Sequence, residues 1–311
     1  MKAIFMGTPE FSIPSLEALV ESVFNVELVV TQPDRPKGRG KKLQAPAVKI
    51  KALEYGIEVY QPERIKTKEA IDKIKSINPD LIIVVAFGQI LPKEILDLPK
   101  YGCINVHASL LPKYRGAAPI NFSVINAEEK TGITTMYMEV GLDTGDMLIK
   151  KEIDILENDT AASLHDKLAE LGRDALSETI EALLNGTINP IKQDDELSCY
   201  APIMTKDLGK IKWDASALEI ANLIKGTDPW PSAYSYYDGN MVKLSAPSIL
   251  DKLSNDLPGT IVDVSNQGID IATKDKVLRI LEIQISGKKR MMVSEFLKGN
   301  ALEIGKVLSN E

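Results

Sequence analysis

Cysteine and histidine are scarce in this 311-residue chain, with two of each. Cys103 and Cys199 lie far apart and show no metal-ligand spacing. Neither a structural metal nor a disulfide framework is expected, and both read as reduced, buried thiols. No apolar run approaches the roughly 20 residues of a membrane span, which argues against a membrane protein. The opening stretch Met1–Gly7 enters a turn too soon for a secretory leader, so a cytoplasmic location is expected. Internal repeats and low-complexity tracts are missing as well. The turn Gly7-Thr8-Pro9 lacks the G-x-G-x-x-G pattern, and a proline nitrogen cannot donate to a pyrophosphate. A nucleotide-dependent oxidoreductase is therefore disfavoured.

What is present is ordinary globular composition, 44% hydrophobic and 26% charged, with core material for about two domains. The net charge of −7 speaks at first against a nucleic-acid partner. Its distribution changes that reading. Residues 206–311 hold 14 basic and 14 acidic residues, so all the acidic excess lies in the first 205. Against that background, residues 34–42 carry five bases (Arg35, Lys37, Arg39, Lys41, Lys42) and one acid, Asp34. A local patch governs phosphate binding more than the total charge does. A solvated, mobile charge run explains the segment as well as a flexible arm that orders on RNA does.

The first half alternates strand and helix signals. Strands are predicted over residues 2–7, 26–31, 57–60, 81–86, 102–107, 133–140 and 147–153. Helices are predicted over 14–22, 46–54, 66–77, 119–126 and 160–184. The run Leu-Ile-Ile-Val-Val-Ala at 81–86 suits a strand covered on both faces. Such alternation implies an α/β domain with a mostly parallel sheet and helices on both sides. Residues 187–205 are polar and irregular and read as a linker. Beyond them come one helix (217–225) and short strands (241–244, 259–264, 268–272, 277–285), which point to a small barrel or sandwich.

Chemistry concentrates at one strand end. Side chains alternate along a strand, so Asn105 and His107 share a face while Ile104 and Val106 take the other. Ligands bind at the carboxyl edge of open α/β sheets. A histidine merely hydrogen-bonded to a nearby loop fits His107 about equally well. Asp143, flanked by Gly141 and Gly145 after another strand, has a loop tight enough to reach His107; alternatively it only closes its own turn. The loop 108–116 leaves the site edge and offers two leucines and Arg115 to a ligand. His165, by contrast, lies on the polar side of a long helix and reads as solvated.

Together these pieces resemble the folate-dependent formyltransferase family. The resemblance rests on Asn105-Val106-His107-Ala108-Ser109-Leu110-Leu111-Pro112, Tyr114-Arg115-Gly116 and Gly141-Leu142-Asp143-Thr144-Gly145. It implies catalytic roles for Asn105, His107 and Asp143. It implies a folate site at Ser109, Leu110, Leu111 and Pro112, flanked by Phe87, Gly88, Gln89 and Ile90. Within the family, the chain is most similar to the branch that formylates methionine on initiator tRNA. The opening Phe5-Met6-Gly7-Thr8-Pro9-Glu10-Phe11 matches that branch, with Phe11 implied to line a methionine pocket. The basic insert resembles its arm for the tRNA acceptor stem, and Trp213 with Pro229-Trp230-Pro231 resembles the start of its OB-like carboxyl-terminal domain. Ser232 departs from the glycine more usual there.

The resemblance implies a Rossmann-like catalytic domain over 1–188, a linker over 189–205 and an OB-like tRNA-binding domain over 206–311. It implies 10-formyltetrahydrofolate as formyl donor, initiator methionyl-tRNA as acceptor, no metal, and a monomer. Lys288-Lys289-Arg290 is a candidate second phosphate contact. The rival within the family is an amino-sugar formyltransferase or a formyltetrahydrofolate hydrolase, which would keep the three polar residues without needing the basic insert. An RNA-binding protein without catalysis leaves those three residues unexplained.

Overall fold

The computed structural model describes residues 1–37 and 42–309. The chain divides into two compact units. The first comprises Met1–Pro119, Lys130–Asp154 and His165–Ala201, and the second Ile120–Glu129, Ile155–Leu164 and Pro202–Glu311. Residues 189–201, which read as linker from sequence, cluster with the first unit. Most of this stretch is bound into the first unit by hydrogen bonds, as set out below.

The chain begins with β1 (Lys2–Gly7), α1 (Ile13–Glu21) and β2 (Asn25–Val30), followed by β3 (Arg35–Lys37) and β4 (Lys42–Gln44). Then come α2 (Ala47–Glu54), β5 (Val59–Tyr60), α3 (Lys68–Ile77), β6 (Leu81–Val85), α4 (Lys93–Leu96) and β7 (Cys103–His107). β8 (Arg115–Gly116), α5 (Pro119–Ile125), β9 (Lys130–Tyr137), β10 (Met147–Asp154), α6 (Ala161–Leu184) and β11 (Tyr200–Ala201) complete this part.

Seven strands form one sheet in the order β10-β9-β7-β6-β1-β2-β5. The pairs from β5 to β7 are parallel, whereas the β7–β9 and β9–β10 pairs at one edge are antiparallel. All five residues of β6 are buried, as a continuous apolar run demands. Each fully buried Leu, Ile or Val contributes about 1.5–3 kcal/mol relative to exposure. On one side, Ala70 and Ile74 of α3 pack with Ile4, Ile82 and Cys103. α3 starts where the Thr67 hydroxyl accepts from the Ala70 amide and stops at Asn78, which takes the left-handed conformation. On the other side Gly172 of α6 approaches Val106 so closely that an added Cβ would lie 3.2 Å from it. That contact sends the two faces of β7 to different destinations, with Ile104 and Val106 to the helix and Asn105 and His107 away from it.

In the second unit α7 (Ala217–Gly226) opens with a Ser216–Glu219 capping box. β12 (Tyr234–Tyr237), β13 (Asn240–Leu253), β14 (Ile261–Ser265), β15 (Gly268–Ala272), β16 (Lys276–Ile285) and β17 (Met291–Met292) form one antiparallel sheet, followed by α8 (Val293–Phe296). Its order is β12-β13-β16-β15-β14, with β17 on β16. Residues near the carboxyl end bond to both sheet edges: Leu308 donates to Gly259, Ile261 to Lys306, and Tyr236 and Ser309 bond each other. The sheet therefore closes on itself around Trp213, Ile220, Ile271, Leu278 and Ile280, as expected of an OB-like barrel.

Candidate active site

Asn105 and His107 occupy one face of β7, as strand parity requires; His107 is 6% exposed and Asn105 half-buried. The imidazole Nε2 lies 2.9 Å from the Tyr114 carbonyl oxygen. A carbonyl only accepts, so Nε2 carries a hydrogen and Nδ1 is the atom left for chemistry. Nδ1 faces Asp143 Oδ2 at 3.7 Å. The alternative of a loop-bonded histidine is thus met by one ring nitrogen, while the other looks into the polar cluster.

Asp143 arrives by a route the sequence did not suggest. β9 is antiparallel to β7, with Ile104 opposite Tyr137, so its loop leaves beside the amino end of β7. Asp143 therefore reaches His107 by folding back over the sheet face, not from the carboxyl edge. The loop is tight. A Cβ on Gly141 would sit 2.2 Å from Thr144 Oγ1, and one on Gly145 would sit 1.9 Å from the Tyr137 carbonyl. Asp143 itself has φ +52°, a left-handed conformation that aspartate tolerates better than most side chains. Its carboxylate does not close its own turn. Oδ2 accepts from the Gly116 amide at 2.8 Å, and Oδ1 lies 3.4 Å from Asn105 Nδ2.

The segment opposite Asp143 is held from outside the predicted motifs. β8 pairs with β11, and the Tyr114 amide donates to Cys199 Sγ at 3.2 Å. Cys199 is exposed, which corrects its reading as buried; Cys103 is buried, and that burial pushes its thiol up to about 12. Arg115 is engaged within the protein. Its Nε donates to Gln193 Oε1 at 3.0 Å and its Nη2 to Asp195 at 2.8 Å. Gln193, Cys199 and Thr134 were missed. They come from polar or alternating stretches with no pattern that separates a buried amide from a solvated one.

Residues implied for folate divide into exposed and sealed. Ile90 is 78% exposed and Phe87 is buried. Gln89 is engaged: its Oε1 accepts from the Ile65 amide at 2.7 Å and its Nε2 donates to Pro62 at 3.3 Å. The Phe87 carbonyl accepts from Thr8 and Gln32, which ties the 86–88 turn, with Gly88 at φ +81°, to the ends of β1 and β2. Ser109 Oγ donates to Lys113, and Thr134 Oγ1 links the Ser109 carbonyl to the Leu111 amide. Leu110 and Pro112 are half-buried. Leu111 is fully buried against Met136 and Met147, so its side chain supports the loop from beneath.

Phe11 follows β1 in a short 3-10 turn and is 7% exposed, with its ring centroid 5.3 Å from that of His165. His165 is therefore not simply solvated; it packs on Phe11 and bonds Asp166. In the basic segment β3 and β4 form a ribbon that pairs Arg35 with Gln44 and Lys37 with Lys42, so this part is not extended coil. Arg39 and Lys41 lie outside the described residues. At the ribbon's base, hydrogen bonds from Lys49 and Gln61 hold the Asp34 carboxyl below the usual carboxylate range. In the second unit, Lys288 and Lys289 are exposed, but Arg290 is paired with Asp228 and is not a free phosphate contact.

A mostly parallel sheet joined to a closed antiparallel β unit, with an amide, an imidazole and a carboxylate clustered on one sheet face, defines the class. Residues 1–180 match the family described as formyl transferase, and residues 203–301 match its carboxyl-terminal domain. The chain belongs to the formyl transferase family. It is 55% identical over 309 residues to the methionyl-tRNA formyltransferase of Clostridium novyi (strain NT), covering 99% of this chain and 100% of that one. It is likewise 55% identical over 308 residues to the methionyl-tRNA formyltransferase of Clostridioides difficile (strain 630), with 99% and 100% covered. The N-formyltransferase from Helicobacter canadensis, solved with folinic acid and dTDP-3-aminofucose, shares the fold with a TM-score of 0.66. It is 20% identical, over 90% of this chain and 99% of that one.

Proposed function

We propose that this chain moves the formyl group of 10-formyltetrahydrofolate to the α-amine of methionine on initiator tRNA. The products are N-formylmethionyl-tRNA for translation initiation and tetrahydrofolate. The observation that carries the chemistry is the convergence of Asn105 Nδ2, His107 Nδ1 and the Asp143 carboxylate, with Oδ1 3.4 Å from the amide and Oδ2 3.7 Å from the imidazole.

An α-amine with a pKa of about 7.7–8.0 keeps roughly a tenth of its population neutral near pH 7, so that fraction is already a nucleophile and no covalent enzyme intermediate is needed. Its lone pair attacks the formyl carbon, a C–N bond forms, and charge collects on the formyl oxygen. Asn105 Nδ2 and a protonated His107 Nδ1 donate to that oxygen. Each well-placed donor is worth about 3–4 kcal/mol in a water-poor site. Asp143 accepts the proton shed by the attacking nitrogen, directly or through water. The folate N10–C bond then breaks as N10 takes that same proton from Asp143, directly or through water. Atoms and charge balance, and Asp143 ends as it began.

The turn at Phe87–Gly88, exposed Ile90 and the loop Ser109–Pro112 receive the folate, and Phe11 receives the methionine side chain. Arg35, Lys37, Arg39, Lys41 and Lys42 meet tRNA phosphates, where each neutralised contact releases counterions and makes binding salt-dependent. The protein works as a cytoplasmic monomer; among the described residues no helix is long and apolar enough to cross a membrane. The deciding assay offers the formyl donor with methionyl-tRNA, with an amino-sugar nucleotide, or with water alone. N-formylmethionine forming only in the first supports this reading. Formylated sugar, or formate release without acceptor, would replace it with the sugar-modifying or hydrolytic alternative.

A further inference from the structure

We propose that Gln193 is a positioning residue of the reaction, a buried amide that locks the Asp143 loop against the segment gripping its carboxylate. The proposal rests on the reading of Asp143 as proton acceptor. Gln193 is 6% exposed and lies in a stretch that reads as linker from sequence. Its Nε2 donates to the Asp143 carbonyl and to the Gly145 carbonyl, each at 2.8 Å. Its Oε1 accepts from Arg115 Nε at 3.0 Å. Both amide hydrogens and the oxygen are therefore in use.

The loop needs such a hold. Val140 and Leu142 are 71% and 52% exposed, so little apolar burial anchors it. Asp143 also sits in a left-handed conformation that the surroundings must impose. Gln193 joins the two sides of the carboxylate. It holds the Asp143 backbone directly, and through Arg115 it holds the neighbour of Gly116, whose amide grips Oδ2 at 2.8 Å. The strap carrying Gln193 is fixed at both ends. Ile191 and Met147 exchange two backbone hydrogen bonds of 2.8 Å, and β11 pairs with β8. Arg115 is clamped outward by Asp195 at 2.8 Å. Displacing a reacting group by about 1 Å can cost about 100-fold in rate, so a loosened loop acts on turnover before it acts on the fold.

Two full-length variants test this. Gln193→Glu keeps an acceptor for Arg115 but turns a carboxylate toward two carbonyls. Gln193→Asn keeps the amide and loses the reach. Formylation kinetics and amide hydrogen exchange are measured on both, with the β1 and β6 amides as internal reference. The expected result is a kcat lowered about 10- to 100-fold with both KM values within about threefold. Exchange at the Gly116 amide rises while β1 and β6 stay protected. Unchanged Gly116 exchange, kcat within twofold of the parent, or equal loss of protection throughout the sheet overturns the proposal. An Asp143→Asn control that retains full turnover refutes the catalytic reading instead, and the exchange measurement still decides whether Gln193 holds the loop.

Discussion

Replacing Asp143 by asparagine exchanges one oxygen for an NH2 group and removes one charge, which makes it a sharp probe of the site. In the parent, Oδ2 accepts from the Gly116 amide at 2.8 Å and Oδ1 faces Asn105 Nδ2 at 3.4 Å. The asparagine oxygen can keep the Gly116 bond, because the reverse orientation would set two donors 2.8 Å apart. Its NH2 group then faces Asn105, at a distance already too long for a strong bond, so the packing cost is small. What disappears is the group proposed to accept the proton beside His107 Nδ1. Proton transfer by a positioned group is worth about 10²–10⁴-fold, or about 2.7–5.5 kcal/mol of barrier. Single-turnover formylation of methionyl-tRNA should slow by at least about 10²-fold, with the melting temperature within a few degrees of the parent. Binding of a folate analogue should change little. A folded variant turning over within threefold of the parent would remove Asp143 from the mechanism, and with it the reason for the Gln193 strap.

Further expectations rest on other features. Gly145→Ala sets a Cβ 1.9 Å from the Tyr137 carbonyl, so the loop must shift; turnover should fall at least about 10-fold, and normal kinetics would mean that the loop does not position the site. Ser232 is left-handed at φ +67°, a conformation that costs a side chain about 1–2 kcal/mol. Ser232→Gly loses the hydroxyl bond to Pro229 at 2.8 Å and adds chain entropy. Lys243 also loses its 3.3 Å bond to that hydroxyl, so urea denaturation should show a net change within about 0.5 kcal/mol of zero, and a larger loss would place the hydroxyl bonds above the strain. Burial raises the Cys103 thiol from 9.0 to about 12. Between those values the unfolded chain gives up its proton first, so this stability is whole below pH 9 and declines as pH climbs toward 12. Relative to Cys103→Ala, the parent should lose about 2 kcal/mol between pH 8 and pH 10.5; parallel stability curves would contradict that. Exchanging Lys41 and Lys42 for alanine should weaken tRNA binding and flatten its logarithmic salt slope by about one unit per lost contact, and an unchanged slope would detach the ribbon from RNA.

The parts of this molecule that a reader of the sequence can see are those set by short-range periodicity. The run at 81–85 is apolar throughout because both its faces are covered, and it appears as β6 at the centre of the sheet. Asn105 and His107 fall on one face because strand parity leaves no choice. Strand direction carries no such mark. Nothing in the composition of 130–137 tells an antiparallel strand from another parallel one, so the approach of Asp143 over the sheet face is not legible in the sequence. Buried polar residues are equally silent. Gln193 reads as a solvated linker residue and Arg115 as a ligand contact until their hydrogen bonds to each other and to the loop are seen. The exposed Cys199 and the sealed Leu111 fail for the converse reason, since residue type alone does not fix depth. Ser232 is the instructive exception. Its departure from glycine, visible in the sequence, coincides with a left-handed backbone.

The interleaved path of the two units bears on synthesis. The segment Ile120–Glu129 belongs to the second unit, where the Asn121 side chain donates to the Gly226 carbonyl at 2.8 Å, 105 residues further along. On a ribosome adding roughly 5–20 residues per second, that helix waits about 5–20 s for its partner. The nascent chain thus carries an unmatched surface while the sheet around β6 and β7 has already emerged, and a fragment ending near residue 188 would carry it permanently.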